Sequence, residues 1–311
     1  MSEREIVCAD LNAGIDDLRR QGFRLDLIYP ADDPFTAVLS NGEESVRVTT
    51  RPDAPEPSDR LPRFTPEFVL TRAGTSPGQG RAGMLYRDLI PGRFGGRYIA
   101  SHISIPEGGP VADWVHYHRI ALQMIYVRRG WVRVAYQDGG DPFVMNEGDL
   151  VIQPPEIRHR VLESSAGLEV VEISAPAVHA TYADHRLELP NGSNPGRIYG
   201  GQRFLRHVAA DTPWTPANGG EAQETGVDVA TSGLAEVRTV RPRNGGALSF
   251  GGQRGELVFG FVLDGSAMLD YRGLKELGPA DAFVIPPGQA WQLTHPSADF
   301  RLLHVTTTQL D

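Results

Sequence analysis

The residues best suited to chemistry in this sequence are three histidines and one glutamine between positions 116 and 159. His116 and His118 flank Tyr117 in a stretch that predicts a β-strand, so both side chains would project to the same face. Gln123 can return on the neighbouring strand, and His159 comes from a distant strand beyond a Pro-Pro pair. Three imidazoles converging from two regions suit a first-row divalent metal. An amide oxygen can complete the protein ligands and leave positions open for substrate, water or dioxygen.

The spacing of glycines and prolines around this set forms a longer pattern. Gly130 follows Gln123 by seven residues. Further on, Pro154 follows Gly148 by six residues, and His159 follows Pro154 by five. This arrangement resembles the metal-binding motifs of the cupin superfamily, whose members have a jelly-roll barrel.

The resemblance covers about residues 97–175 and recurs in a degenerate form over residues 234–308. It implies one divalent transition metal held by His116, His118, Gln123 and His159. The sequence departs from the family pattern in two places: Gln123 replaces the usual glutamate, and Glu156 replaces a turn glycine.

The glutamine has an electrostatic consequence. A glutamate ligand would lower the net charge of the site from about +2 to about +1, whereas Gln123 and three neutral imidazoles leave it near +2. Such a centre favours an anionic or enolisable oxygen ligand and acidifies bound hydroxyl groups. We therefore expect chelation of a carboxylate, enolate or phenolate substrate.

Other residues on the surrounding strands are candidates for contact with that substrate. His102 is a candidate general base or hydrogen-bond donor, if it faces the cavity. Arg158 and Arg160 flank His159, and either one could bind a substrate carboxylate bidentately or point outward as a solvated charge. We take Arg158 as the catalytic candidate, and the candidate substrate-binding residues are Trp114, Tyr126 and Arg133.

An internal repeat indicates two similar β units. The stretch from Tyr126 to Gly130 recurs 135 residues later, and the acidic turn and Pro-Pro strand after Gly148 recur 132 residues later. These offsets place Gly251, Gln253, Val258 and Trp291 at the ligand positions of the second unit. That unit therefore lacks a three-histidine set, and its expected role is packing, dimerisation or an apolar pocket around Trp291.

The remaining pattern predicts a mainly β protein: two tandem cupin barrels preceded by a small α+β unit. The 35 glycines and 24 prolines are typical of turn-rich β structure. Only Leu11–Gly22 has helical spacing, between a strand and three further strands, with Asn41-Gly42 as a hairpin turn. This βαβββ order resembles half of a glyoxalase-type domain. The expected segments are the small unit at 1–51, a linker at 52–83, the metal-binding barrel at 84–180, a connecting segment at 181–220 and the second barrel at 221–311.

Composition excludes several function classes. A net charge of −9 argues against nucleic-acid binding by phosphate neutralisation. A single cysteine, Cys8, permits neither an intrachain disulfide nor a thiolate cluster. No stretch approaches the roughly 18–20 apolar residues of a membrane span, and the first residues lack the basic and apolar regions of a signal peptide. We expect a cytoplasmic protein with a small-molecule substrate and neither a membrane nor a nucleic-acid partner. The cupin resemblance implies a homodimer.

Three functions fit these features. The layout is similar to gentisate-type ring-cleaving dioxygenases, which implies a non-haem Fe(II) dioxygenase acting on a small chelating substrate: a hydroxy acid, an enolisable compound or a phenol. The alternative is a redox-neutral isomerase, epimerase or lyase using Mn(II), Zn(II) or Ni(II) to stabilise an enolate, and the ligand set is also similar to that of cupin hydroxynitrile lyases. The third is a non-enzymatic binding or sensor protein. The fold does not decide among them.

Overall fold

The computed structural model describes residues 3–53, 60–80 and 83–310. The chain begins with a unit of one helix and four strands: β1 (Glu3–Val7), α1 (Leu11–Arg20), β2 (Arg24–Tyr29), β3 (Thr36–Ser40) and β4 (Ser45–Thr49). Asp10 caps α1 by accepting a hydrogen bond from the backbone NH of Ala13, and the helix buries three apolar side chains against the sheet. The predicted βαβββ order is confirmed.

The first barrel and its flanking segments contain the next sixteen strands. They are β5 (Val69–Thr71), β6 (Gly78–Gln79), β7 (Leu85–Asp88), β8 (Ile99–Ile105), β9 (Gly109–Pro110), β10 (His116–His118), β11 (Leu122–Arg129), β12 (Trp131–Tyr136), β13 (Phe143–Asn146), β14 (Leu150–Ile152), β15 (His159–Ser164), β16 (Leu168–Ala175), β17 (Thr181–Ala183), β18 (Ile198–Tyr199), β19 (Gln202–Arg203) and β20 (Leu205–His207).

Two sheets enclose the interior of the first barrel. One has the order β1-β4-β3-β2-β17-β10-β15-β12-β13, with β9 on β15, and the other has the order β20-β14-β11-β16-β8-β7-β6. The sheet of the N-terminal unit is continuous with the first barrel, because β17 pairs with β2 on one side and with β10 on the other. The small unit thus extends the sheet that carries the three predicted histidine ligands.

The second barrel follows a short 3-10 turn (Ala209–Asp211) and contains ten strands and a one-turn helix. They are β21 (Thr215–Ala217), β22 (Gly220–Glu224), α2 (Val227–Ala230), β23 (Ala235–Pro242), β24 (Leu248–Phe250), β25 (Val258–Asp264), β26 (Ala267–Asp270), β27 (Leu274–Leu277), β28 (Ala282–Val284), β29 (Trp291–Thr294) and β30 (Arg301–Thr307). Its sheets have the orders β21-β22-β23-β30-β25-β28-β5 and β24-β29-β26-β27. The mainly β, two-barrel prediction is confirmed.

The interval 52–83 is more than the predicted linker. Its strand β5 pairs with β28 and completes the larger sheet of the second barrel, although β5 precedes the first barrel in the chain. Residues 54–59 and 81–82 of this interval lie outside the described residues. The connecting segment 181–220 likewise supplies β17 and β20 to the first barrel.

The two barrels share one large apolar core. Strands β8, β11, β14 and β16 of the first barrel face β23, β25, β28 and β30 of the second, and their buried side chains form a single cluster. These first-barrel strands are therefore buried on both faces. Among the described residues no helix is long and apolar enough to cross a membrane.

Candidate metal centre

Three histidines meet on one wall of the first barrel, as predicted. His116 and His118 lie on β10, and His116 pairs directly with His159 on the antiparallel strand β15. All three are buried, and one nitrogen of each ring lies within 4.8 Å of the other two. Because side chains alternate along a strand, Tyr117 points to the opposite face and stacks on Tyr182. The three imidazoles could hold a divalent metal ion.

Backbone carbonyls set the tautomer of each imidazole. Nδ1 lies 2.7 Å from the carbonyl of Trp114 for His116, 3.1 Å from that of Ala180 for His118, and 3.0 Å from that of Ile157 for His159. A carbonyl oxygen only accepts, so each Nδ1 carries the hydrogen and each Nε2 keeps a lone pair. This is the arrangement in which neutral histidine binds a metal.

Gln123 reaches the same site from β11, on the opposite sheet. Its Nε2 donates to Oε1 of Glu172 at 2.8 Å, and that carboxylate oxygen also accepts from the Ser174 hydroxyl at 2.9 Å. The carboxylate fixes the amide orientation, because only the NH2 group can donate to it. The Gln123 oxygen is then buried without a hydrogen-bond partner. An orphaned buried oxygen beside three imidazoles fits a metal ion.

The pairing with Glu172 explains why glutamine stands where the cupin pattern has glutamate. A glutamate at position 123 would bring two carboxylates within hydrogen-bonding distance, and such pairs cannot both ionise without a large penalty. The four candidate ligands are neutral, and a carboxylate lies one hydrogen bond behind Gln123. The buried Asp113 carboxylate, 3.5 Å from Nδ1 of His116, adds a second negative charge, and Arg160 on the cavity border adds a positive one. The local charge of a loaded site is therefore about +1.

Replacement of Glu172 by glutamine tests this support. The new side chain can donate as well as accept, so the Gln123 amide loses its fixed orientation. We expect metal affinity to fall by about 10–100-fold, the usual effect of losing a partner that orients a ligand. A competition titration with a chromophoric chelator measures it. Ser174→Ala is the control, because it leaves the bond between Gln123 and Glu172 in place, and unchanged affinity in Glu172→Gln would contradict the assignment.

The four predicted ligands line a partly enclosed cavity of about 100 Å³ inside the first barrel. Most of the remaining wall is hydrocarbon, including Ile103, Val134 and Leu168. Tyr136 and Gln153 add a polar pair, in which Gln153 Nε2 donates to the Tyr136 hydroxyl at 2.7 Å. Burial raises the pKa of Tyr136 well above its usual value, so the hydroxyl stays protonated.

Sequence reasoning missed Tyr136, Gln153 and Glu172 as cavity residues. Tyr136 pairs across the ladder with His159, and its ring stacks on that imidazole at 5.6 Å. A signal existed for Tyr136, since it lies at even spacing from Val132 and Val134 on one face of β12. No comparable signal marks Glu172, whose partner is 49 positions away.

His102 does not face the cavity, and that prediction is wrong. Its neighbour Ile103 lines the cavity, so alternation places His102 on the outer face of β8, against Phe261 of the second barrel. Its Nε2 lies 2.8 Å from Glu169 and its Nδ1 lies 3.2 Å from Arg87. Burial lowers the pKa of His102, although Glu169 opposes the shift. The ring belongs to the polar contact between the barrels.

Arg158 also lies outside the metal cavity. Its Nε donates to Asp184 at 2.9 Å, its Nη1 donates to the carbonyl of Glu156, and the guanidinium lies 4.0 Å from the ring centre of Tyr117. It borders a separate open groove instead. Arg160 does border the metal cavity. Its ladder partner is Ala135, between the inward-facing Val134 and Tyr136, so alternation directs the Arg160 side chain to the outer face.

None of the three predicted substrate-binding residues lines the cavity. Trp114 packs against the core of the N-terminal unit, with its ring 5.2 Å from that of His116. Tyr126 lies in the core shared by the barrels, and Arg133 is exposed on the outer face of β12. Trp114 and Tyr126 therefore pack within hydrophobic cores of the protein.

Aromatic rings fill the equivalent position of the second barrel. Phe250 pairs with Trp291 as His116 pairs with His159, and the two rings stack at 3.8 Å. The residue equivalent to His116 is thus Phe250, one position before the predicted Gly251. The ring of His304 lies 4.9 Å from that of Phe250, and the ring of Phe283 lies 5.2 Å from that of Trp291. The filled interior favours the packing role for this barrel over a pocket around Trp291.

His304 makes the second barrel sensitive to acid. Complete burial, together with nearby Arg238, lowers the pKa of His304 from 6.5 to about 3. The unfolded chain therefore takes up a proton first, and stability falls as the pH drops below about 6.5. Between pH 7 and pH 5 we expect wild type to lose about 2 kcal/mol more unfolding free energy than His304→Leu, as measured by urea titration. Equal losses in the two proteins would contradict this.

Comparison with known proteins finds likeness only among solved structures. No family model matches the chain, and no curated protein matches it. A deletion mutant of oxalate decarboxylase OxdC from Bacillus subtilis is 12% identical with a TM-score of 0.57, over 82% of this chain and 80% of that one. A putative glyoxylate-induced protein from Pseudomonas aeruginosa is 14% identical with a TM-score of 0.57, over 83% of this chain and 94% of that one. The protein Ylba from E. coli is 10% identical with a TM-score of 0.56, over 80% of this chain and 93% of that one.

At such low identities the likeness concerns the fold alone. It spans both barrels of this chain, in agreement with the internal repeat and with the two pairs of sheets. The chain therefore has the cupin fold, as two tandem barrels of which the first carries a three-histidine centre.

Proposed function

We propose that this protein is a metal-dependent enzyme, and specifically a non-haem Fe(II) dioxygenase of a small chelating substrate. The observation that carries the proposal is the set of three imidazoles, each with Nδ1 held by a carbonyl, on the wall of a partly enclosed and mostly apolar cavity. Imidazole suits iron among other metals, and three nitrogen ligands leave positions open. When bound, the metal would supply Lewis-acid activation of the substrate and a position for dioxygen.

The protein's own residues have definable tasks in this proposal. The mostly hydrocarbon wall would limit contact between the bound substrate and water, and its polarity suits dioxygen, which is itself small and apolar. The Tyr136 hydroxyl accepts from Gln153 and keeps its proton, so it can donate a hydrogen bond to a substrate oxygen. Glu172 holds the Gln123 amide in one orientation.

The second candidate is a redox-neutral isomerase, epimerase or lyase that uses Mn(II), Zn(II) or Ni(II). The presence of Glu172 in the cavity wall favours it, because a carboxylate close to a chelated substrate can accept a proton from it. Oxygen dependence separates the two candidates, since only the dioxygenase consumes dioxygen.

The test is elemental analysis of protein purified without air, followed by oxygen-electrode assays with small hydroxy acids, oxo acids and 1,3-dicarbonyls. We expect about one iron per chain and substrate-dependent oxygen uptake. Manganese, zinc or nickel with turnover in the absence of oxygen would favour the second candidate. A chain that neither retains nor rebinds a divalent metal would contradict both, and would leave the binding or sensor role.

A further inference from the structure

We infer that the substrate of the first barrel is a short aliphatic monoanion that carries two chelating oxygens and a hydrocarbon tail of a few carbons. The inference rests on the proposed function, because it takes the three-histidine centre as the place where the chelating end binds. It narrows the substrate class by the polarity, the charge and the size of the cavity.

Most of the cavity wall consists of aliphatic side chains. Strands from both sheets turn aliphatic side chains into it, among them Ile103, Ile125, Val132, Val134, Leu168 and Val170. A polar substituent pressed against these groups would lose its hydrogen bonds to water without replacement. The part of the substrate beyond the chelating atoms is therefore apolar.

The charges around the centre suit a single negative charge. A divalent ion contributes +2, the Glu172 carboxylate and the buried Asp113 carboxylate 3.5 Å from Nδ1 of His116 contribute −2, and Arg160 on the cavity border contributes +1. The sum is about +1, which one anionic oxygen neutralises. A dicarboxylate would leave a net negative site and would bury its second carboxylate near Glu172 or against the aliphatic wall. Burial of an unpaired charge is strongly unfavourable.

The size of the cavity limits the tail. Its volume is about 100 Å³, whereas an apolar cavity of about 150 Å³ holds benzene. By this proportion about four non-hydrogen atoms fit in the enclosed space, which suits a tail of a few carbons but not a substituted aromatic ring. Among the substrates expected from the sequence, short 2-hydroxy acids, 2-oxo acids and 1,3-dicarbonyls remain.

A homologous series of 2-hydroxy acids tests the inference, because every member has the same chelating group. Co(II)-loaded protein is titrated without air, and the visible Co(II) spectrum reports binding. From glycolate to lactate to 2-hydroxybutyrate, we expect affinity to rise by about fourfold per added carbon, until the cavity is full. Glycerate has the same number of non-hydrogen atoms as 2-hydroxybutyrate but a hydroxyl in place of the terminal methyl. It should bind at least about tenfold more weakly.

Two variants and one dianion complete the experiment. Leu168→Ala enlarges the cavity and should shift the best tail length upward, whereas Val229→Ala, at a position 75% exposed on α2, should leave the series unchanged. Tartronate, which is lactate with its methyl replaced by a carboxylate, should bind more weakly than lactate. Equal affinities along the series, tighter binding of glycerate or tartronate, or no spectral response to any member would overturn the inference. Failure of Co(II) to bind at all would instead overturn the metal site on which the proposed function depends.

Discussion

Alanine at His116 or His159 is expected to abolish stoichiometric metal binding. The two residues face each other across the β10–β15 ladder, with ring centres 4.2 Å apart, so either change leaves two imidazoles and Gln123. We expect a loss of at least about 100-fold in affinity, since loss of an orienting partner alone costs 10–100-fold. A chelator competition titration with Fe(II), Mn(II) and Zn(II) measures the effect.

The matched control is His295→Asn. His295 is an exposed histidine in a turn of the second barrel, with positive φ, a conformation that asparagine tolerates. This variant should bind metal as wild type does. If His116→Ala and His159→Ala both kept wild-type occupancy, the ion would have to bind elsewhere, and the assignment of the centre would fail.

Glutamine at Glu256 is expected to cost about 3–5 kcal/mol of unfolding free energy, the largest stability effect we predict. Glu256, in the second barrel, binds both Nε and Nη2 of Arg97, at 3.0 and 2.6 Å, and accepts from the Tyr98 hydroxyl at 3.0 Å. Arg97 also donates to the carbonyls of Pro62 and Leu310. Both charged side chains are less than a tenth exposed, so Glu256→Gln leaves the Arg97 charge buried without a carboxylate partner.

Urea unfolding of wild type and Glu256→Gln at neutral pH measures this loss. The control is Glu44→Gln, which removes an exposed partner 3.9 Å from Arg4 and should change stability by less than about 1 kcal/mol. A similarly small change in Glu256→Gln would contradict the prediction. It would show that the contacts of Arg97 with Glu256, Pro62 and Leu310 contribute little to stability.

The sequence was sufficient for the elements of the N-terminal unit and for the three histidines. Asn41-Gly42 marked the β3–β4 hairpin, and the apolar spacing of α1 marked the helix. The histidines were accessible because a strand with alternating polar and apolar neighbours identifies which residues share a face. The metal identity, the homodimer and the cytoplasmic location stay predictions.

The orientation of residues on doubly buried strands was not accessible from the sequence. The second barrel covers the outer face of β8 and β11, so both faces are apolar and alternation cannot identify the inner one. The sequence therefore does not exclude His102 and Tyr126 from the cavity side, whereas in the structure both lie between the barrels. The hydrogen bond between Gln123 and Glu172 and the pairing of β5 with the second barrel both depend on strands that are far apart in the chain. Short-range sequence patterns therefore do not predict either feature.

The central claim is that one transition-metal ion binds to three imidazoles of the first barrel. X-ray absorption spectroscopy of protein purified without air tests it most directly. We predict about one ion per chain, with three imidazole nitrogens at about 2.0–2.2 Å and additional oxygen ligands at similar distances. A spectrum without imidazole scattering, or one that is unchanged in His116→Ala, would contradict the claim.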